Sequence, residues 1–471
     1  MSVATVRVLD VSKLSEMRAW TKYYNIAKLM AFLGILCQPF SLWALFYTSP
    51  SDYPFLSSLL FVPLLTYGCV MLSRSVCRRD RFLRLLFGSG IVLRLAAAGA
   101  YVWAGYYIFQ ADAFHYWTMG VARADQFSAI GWAAFPPPYS SSNLLNNLCG
   151  IITLVTGNAL PTLFAFFAFA ALWGGYFFYR AFCIAFPNGN RGLYGLLVFL
   201  MPSSLFWSSA IGKDAMEQLF IGMTAFGFAK IATKLDGRSM LICAIGVTGA
   251  AAFRPHVGGM LAISMLLPFT FSSMKGGWMT MSARILLVPV LAVSTLFMAR
   301  QAQSFVNEGS NGFGSTGNVL EREHMVTAEG GSTFNQGTSL SMRILESPFL
   351  LFRPFPWEVH NLMAAVSSVE GMGLAFLVFR KRREFWPVVR AWRQTYISFI
   401  LAYALLFAVI FSAAISNFGI IARERMMLFP IVLMLFCARL PSKKIVGSPA
   451  FQPYPLGRSR WSAPQLGPSA F

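Results

Sequence analysis

The chain of 471 residues is too apolar and too poor in charge to be an ordinary water-soluble protein. It is 56% hydrophobic and 12% charged, with a mean hydropathy of +0.58, whereas soluble proteins carry about 25% charged residues. The net charge of +20 comes from short basic clusters between apolar runs, a pattern typical of cytoplasmic loops rather than of a nucleic-acid-binding surface. We therefore predict a polytopic protein of the lipid bilayer with no nucleic-acid partner.

The predicted fold is an all-α transmembrane bundle of about twelve spans with a cavity that faces the extracytoplasmic side. A spanning helix needs about 17–25 mostly apolar residues. Runs near this length occur at 26–47, 55–72, 85–109, 161–180, 192–209, 215–233, 239–253, 257–272, 285–299, 361–379, 396–414 and 426–440. A polar segment (1–25) precedes this transmembrane domain (26–440), and a Pro-, Ser- and Gly-rich tail (441–471) that we expect to be disordered follows it.

Basic clusters orient the predicted bundle. The loops after the second and the tenth span hold Arg74, Arg78, Arg79, Arg81 and Arg84, and Arg380, Lys381, Arg382, Arg383, Arg390 and Arg393. Such clusters stay on the cytoplasmic side of a membrane. Twelve spans then place both termini in the cytoplasm, and the two long loops 110–147 and 300–360 face outward.

Several ionisable residues lie at or near helix ends on the predicted outer side. They are Lys213, Asp214, Arg254, His256, Arg353, Arg423, Glu424 and Arg425. Ionisable residues at membrane depth mark functional sites, although long basic side chains also reach from helix ends to lipid headgroups. Because Arg binds phosphate in a bidentate way, we expect these cations to converge on one anionic ligand.

The first long outer loop contains a carboxylate and an imidazole directly after the third span. Asp112 and His115 are three residues apart, so a helical turn would place both on one face. Together they could act as a general base or hold a divalent metal ion. In the structural alternative, Asp112 caps a helix, and Tyr116 and Trp117 belong to an interfacial aromatic belt.

The segment 353–360 reads Arg-Pro-Phe-Pro-Trp-Glu-Val-His and precedes the tenth span. Its two prolines favour an extended backbone, from which Arg353, Trp357, Glu358 and His360 could reach a shared cavity. A Trp side chain suits stacking on a sugar ring. A stiff linker with an interfacial Trp is the alternative interpretation.

Four short pieces carry a family resemblance. They are Phe-Trp-Ser-Ser-x-x-x-Lys-Asp (206–214), Arg-Pro-His (254–256), Arg-Pro-Phe-Pro-Trp-Glu (353–358) and Asn-Phe-Gly-x-x-x-Arg-x-Arg (417–425). The chain resembles bacterial membrane enzymes of polysaccharide assembly: O-antigen polymerases, O-antigen ligases and C-type glycosyltransferases. C-type enzymes place an acidic residue in the first outer loop, whereas Asp112 follows the third span. Ligases have a large late outer loop, which 300–360 resembles.

The resemblance implies an enzyme of the bacterial inner membrane that uses a polyprenyl-linked sugar donor on the outer face. Arginines would then stabilise the pyrophosphate leaving group, and Asp112 or His115 would deprotonate the acceptor hydroxyl. Other polysaccharide-assembly proteins would be its partners. A transporter or flippase of the lipid-linked glycan and a non-catalytic subunit of an export machine are the alternatives. The residues identify neither a cofactor nor the sugar.

Overall fold

A computed structural model describes most of the membrane domain. The described residues are 11–47, 55–109, 111–131, 141–234, 236–271, 349, 352–359, 362–414 and 418–440. Within these ranges the chain is helical without strands, which confirms the predicted all-α class. The predicted span 285–299, most of the loop 300–360 including His360, and the tail 441–471 lie outside the described residues.

The described helices are named in chain order. They are α1 (Val11–Leu36), α2 (Gln38–Tyr47), α3 (Phe55–Val76), α4 (Arg81–Tyr107), α5 (Asp112–Ile130), α6 (Ser141–Thr156), α7 (Leu160–Ala185), α8 (Arg191–Leu200), α9 (Pro202–Trp207), α10 (Lys213–Thr233), α11 (Gly237–Phe253), α12 (Pro255–Phe271), α13 (Leu362–Arg390), α14 (Thr395–Ala414), α15 (Phe418–Glu424) and α16 (Phe429–Cys437). A 3₁₀ turn, Pro356–Glu358, precedes α13. The first helix therefore begins inside the predicted polar segment 1–25.

Four described helical stretches are long and apolar enough to cross a membrane. They are Ala19–Phe46, Leu56–Val76, Arg81–Tyr107 and Leu160–Ala185. The bent pair Ala364–Arg390 and Thr395–Phe411 makes a fifth if it counts as one span. This supports a multi-pass membrane protein, whereas the total of about twelve spans and the outward cavity stay predictions.

The core of the bundle is built around α7 and α10. Gly174 of α7 and Gly222 of α10 let the two backbones meet, since a Cβ at Gly174 would collide with the backbone of Gln218. Such small residues are what membrane helices use to pack closely, because lipid supplies no hydrophobic force between helices. By contrast, many large apolar side chains of α1, α2 and α3 are exposed, as expected for a lipid-facing surface.

The last described helix packs back on the middle of the chain. The Tyr194 hydroxyl of α8 donates to the Pro430 carbonyl oxygen at 2.7 Å, and the Asn190 N–H donates to the Cys437 carbonyl oxygen at 2.8 Å. Asn190 also caps α8 by accepting from the Leu193 N–H. These bonds place the end of α16 beside the start of α8.

Two helices occupy much of the predicted outer loop 110–147. The helices α5 and α6 pack against each other at Gly120, where an added Cβ would lie 2.6 Å from the Cβ of Cys149. The Trp117 indole N–H then ties the pair to Asn158 at 2.8 Å. Small residues at the crossing explain why a stretch that the sequence presents as a loop folds as a helical hairpin.

Candidate functional site

Five charged side chains from four parts of the chain meet at one end of the bundle. They are Asp112 at the start of α5, Asp214 at the start of α10, Arg254 between α11 and α12, and Arg423 and Glu424 at the end of α15. We call them the ion-pair cluster, and the end of the bundle where they lie the cluster end. The sequence singles out all five among its ionisable candidates, and the structure brings them together.

Arg254 lies at the centre of the ion-pair cluster and is only 8% exposed. Its Nη2 donates to Asp214 Oδ1 at 2.6 Å, and its Nη1 donates to Glu424 Oε2. Both terminal nitrogens are therefore used by carboxylates of the same chain. A buried Arg with two such partners stabilises the cluster, and little of its guanidinium is left for a phosphate.

Arg423 links the buried part of the ion-pair cluster to its surface. Its Nε donates to Asp214 Oδ2 at 2.5 Å, and its Nη1 donates to Asp112 Oδ2 at 3.1 Å. The Asp112 side chain is 61% exposed, whereas that of Asp214 is 6% exposed. The cluster thus presents one accessible carboxylate, held in place by a guanidinium.

The local sequence favours carboxylates at these two positions. Asp112 and Asp214 lie in the first turns of α5 and α10, where the positive end of the helix dipole stabilises negative charge. Neither helix has a side-chain cap at its N-terminus, so the expected capping role of Asp112 is not what the structure shows.

Lys213 lies beside the ion-pair cluster with neutral partners. Its Nζ donates to the hydroxyls of Ser141 at 2.9 Å and Ser142 at 3.2 Å. These serines begin α6 and Lys213 begins α10, so a cation and two helix N-termini come together. This combination is suited to an anion.

Two tyrosines also border the ion-pair cluster. Tyr101 of α4 is 5% exposed and packs on Phe206 and Trp207, with ring centroids 5.2 and 6.1 Å away. Burial raises the pKa of Tyr116 above its ordinary value of 10.0, and the neighbouring Asp112 carboxylate raises it further. Tyr116 therefore remains a neutral hydroxyl next to Asp112.

A second group of predicted residues lies close by. Arg353 pairs with Glu358, whose carboxylate also accepts from the Phe355 N–H at 2.8 Å. The Arg425 guanidinium donates to the Arg353 carbonyl oxygen at 2.7 Å and lies 3.9 Å from Glu370. These contacts fix the segment 352–359 to α13, so Arg353 and Arg425 stabilise the fold here.

The remaining predicted residues are exposed. The Trp357 side chain stacks on Phe355 and is 77% exposed, and His256 packs edge-on against Phe411. His115 is exposed, and its backbone carbonyl accepts from Thr118. Among the described contacts none joins the side chains of His115 and Asp112, which does not support a shared role for them.

The donor set around Asp112 does not fit a divalent metal ion. Its Oδ2 already accepts from the positively charged Arg423, and the described residues contain no group of three metal-ligating His, Cys, Asp or Glu side chains. Divalent hard cations need several oxygen ligands. We therefore assign no step at this site to a metal ion.

Among the described residues, three buried ionisable side chains inside helices are missing from the sequence-based site. Arg94 of α4 is 1% exposed and donates to the hydroxyls of Ser208 at 2.8 Å and Ser209 at 3.5 Å. Glu217 of α10 is fully buried, and Glu370 of α13 accepts from Ser203. Each interrupts an apolar run, and that signal would have been sufficient to find them.

Comparison with protein-family models, with curated proteins and with solved structures gives no match to this chain. Its function is therefore inferred from the geometry of the residues at the cluster end.

Proposed function

We propose that the protein is a membrane glycosyltransferase, glycan polymerase or glycan ligase that uses a polyprenyl-linked sugar donor. The observation that carries this proposal is the exposed Asp112 carboxylate, held by Arg423 at 3.1 Å above a buried network of charges. A general base has to reach its substrate and keep its orientation. Asp112 meets both requirements, since Arg423 binds one of its oxygens and more than half of its side chain is accessible.

In the proposed reaction, an acceptor hydroxyl attacks the anomeric carbon of the donor sugar. The bond between that carbon and the phosphate oxygen breaks, and the lipid pyrophosphate leaves with the bonding electron pair. Asp112 Oδ1 takes the proton of the acceptor hydroxyl, while Arg423 holds Oδ2. The resulting neutral carboxyl releases its proton to water, because the side chain is exposed.

Lys213 is the group that we assign to the leaving pyrophosphate. Its direct partners are two hydroxyls rather than a carboxylate, so its charge is available to an anion. The N-termini of α6 and α10 add backbone N–H groups at the same place. Negative charge that develops on the leaving group is stabilised by donors already in position.

We place the cluster end outside the bacterial cytoplasmic membrane and both chain termini in the cytoplasm. The helix α4 runs from the basic stretch at Arg81 toward the cluster end, and basic stretches remain cytoplasmic. A polyprenyl-linked donor on the outer leaflet would reach the site from the side of the lipid. Other polysaccharide-assembly proteins are the partners that this location implies.

The test is sugar transfer by the purified protein from a polyprenyl-pyrophosphate oligosaccharide to a glycan acceptor. Asp112→Asn removes the base and keeps the shape, so we expect at least a hundred-fold loss of rate, in line with the usual contribution of a positioned base. Asp125→Asn, an exposed carboxylate further along α5, is the control and should retain the wild-type rate. Wild-type transfer by Asp112→Asn would contradict the proposal. Transfer that stops when a chelator is added would show that the reaction needs a metal ion.

A flippase for the same lipid-linked glycan is the second candidate. The chain breaks its helix between α9 and α10, at Ser208–Gly212, and the buried Arg94 contacts this break. Broken helices and buried charges near the middle of a membrane are features of transporters. Movement of a labelled polyprenyl-pyrophosphate glycan across vesicles without any transfer would favour this candidate.

A further inference from the structure

A carboxyl group with no hydrogen-bond partner among the described residues lies beneath the ion-pair cluster. Glu217 is 0% exposed, and neither of its oxygens has a hydrogen-bond partner among the described residues. It lies on α10, three residues after Asp214, and so faces the same side of the helix one turn deeper. An ionised carboxylate that is both buried and unpartnered is strongly unfavourable, so this group needs a neutralising ligand.

The Tyr403 hydroxyl, at the same level, is a second group with no partner in the part of the chain that the structure describes. Tyr403 is 0% exposed between Phe399 and Phe407, and its oxygen has no described hydrogen-bond partner. The antiparallel helices α10 and α14 are held in register by the Tyr396 hydroxyl, which donates to the Ala225 carbonyl oxygen at 3.1 Å. Tyr403 lies seven residues after Tyr396, about 10.5 Å along α14, and Glu217 lies eight residues before Ala225, about 12 Å along α10. These similar distances bring Tyr403 level with Glu217.

The charges around Glu217 are already balanced without it. The charged groups that act on it are Lys213 and Asp214 of its own helix, Arg254 and Glu424, while Tyr403 is the facing titratable group on α14. With Asp112 and Arg423 included, the described residues of the site hold three carboxylates, Asp112, Asp214 and Glu424, against the three cations Lys213, Arg254 and Arg423. An ionised Glu217 would add a fourth negative charge where water is excluded.

We propose that Glu217 and Tyr403 form a proton-binding site inside the membrane domain. Glu217 carries the proton and is neutral, while the ion-pair cluster above it remains charged. A metal cation is a poorer occupant, because the described residues offer no group of three His, Cys, Asp or Glu side chains that could ligate one. This inference does not depend on the glycosyltransferase proposal.

The position of the site couples it to the cluster end. An anion that binds near Lys213 adds negative charge, which increases the affinity of Glu217 for its proton. Because coupling between two sites is reciprocal, a bound proton strengthens anion binding by the same factor. The affinity of Glu217 for its proton would thus depend on the charge of the ligand bound at the cluster end.

The test is infrared spectroscopy of the full-length protein in neutral phosphatidylcholine vesicles at neutral pH. We expect a carbonyl band of a protonated carboxyl group that shifts in D₂O, is absent from Glu217→Gln and is retained by Asp125→Asn. Tyr403→Phe should keep the band but change its position. The proposal is overturned if wild-type protein lacks the band, if Glu217→Gln retains it, or if sodium or magnesium ions remove it.

A second measurement needs no variant and covers the case in which Glu217→Gln does not fold. A membrane-soluble carbodiimide modifies protonated carboxyl groups, and mass spectrometry locates the adduct. We expect the adduct on Glu217 of the wild-type protein, with a yield that falls as pH rises through the range in which the group ionises. An adduct on Glu217 whose yield does not fall as pH rises would contradict the proposal, whatever the result of the transfer assay.

Discussion

The two ends of the helix bundle carry charge in different ways. At the cluster end, carboxylates and guanidiniums pair in a buried network around Arg254. At the other end, which we call the basic end, cations predominate and many are exposed. Described members of the basic end include Arg74, Arg78, Arg79, Arg81, Arg84, Arg191, Lys381, Arg382, Arg383, Arg390 and Arg439.

The exposed cations of the basic end orient the protein in the membrane, whereas the buried charges of the cluster end form a site. Exposed cations stay hydrated and interact with lipid headgroups, so each contributes little to the fold. Buried charges lose their hydration and persist only if their partners are arranged around them. The buried part of the ion-pair cluster is therefore the place where a single substitution has the largest effect on stability.

The comparison depends first on which side of the membrane each end of the bundle faces. Single cysteines at Asp125 of α5, the helix that begins at the cluster end, and at Arg383 of the basic end, both exposed, are introduced into a Cys37→Ser background that removes the exposed native cysteine. An impermeant maleimide added to intact cells should label position 125 and leave position 383 unlabelled. The opposite pattern would place the cluster end in the cytoplasm and contradict the proposed function.

Removing a central cation should reveal the energetic difference between the two ends. Arg254→Ala leaves Glu424 and part of Asp214 buried without a partner, so we expect a loss of about 3–5 kcal/mol in the free energy of unfolding. Arg84→Ala, an exposed residue of the basic end, should change it by less than about 0.5 kcal/mol. Denaturant titrations of both variants in the same detergent measure the two values. Equal effects would remove the distinction between the ends.

A substitution of Arg94 tests whether removing any buried cation costs as much unfolding free energy as removing Arg254. Its described hydrogen-bond partners are neutral hydroxyls, and Ser208 also donates to the Ser204 carbonyl oxygen. Arg94→Met keeps much of the volume and leaves that serine bonded, so we expect stability to be unchanged or raised by up to about 4 kcal/mol. A loss of stability in the same titration would mean that the guanidinium has an anionic partner.

The smallest expected effect on stability belongs to the exposed edge of the ion-pair cluster. The pair between Asp112 and Arg423 spans 3.1 Å, with Asp112 61% exposed, and such pairs contribute about 0–1 kcal/mol. Asp112→Asn should therefore unfold at nearly the wild-type denaturant concentration, and added salt should narrow the gap. A loss above about 2 kcal/mol would mean that reduced transfer by this variant reflects unfolding.

The sequence was sufficient to predict the all-α class of fold and to select the ionisable residues that meet at the cluster end. Apolar runs predict helices that cross a membrane because the bilayer fixes their length and their hydropathy. Asp112, Asp214, Arg254 and Arg423 could be selected as ionisable residues next to such runs. Their grouping at one end follows from the direction of consecutive helices.

The pairing within the site depends on contacts between distant segments. Nothing near Arg254 in the chain indicates Glu424, which lies 170 residues away, or shows that both of its terminal nitrogens are already engaged. The hairpin of α5 and α6 was also missed, because Gly120 and Cys149 reveal their role only when the helices touch. Periodicity reports which face of a helix is apolar, but the partner of that face is set by the whole bundle.

The contact between α8 and α16 has a consequence for biosynthesis. The Tyr194 hydroxyl donates to the carbonyl oxygen of Pro430, a residue that is synthesised 236 residues later. Until that residue is made, the side of α8 that packs on α16 has no protein partner from α16, so lipid or an insertase has to cover it. A chain truncated before Pro430 would therefore lack the segment that packs on this side of α8.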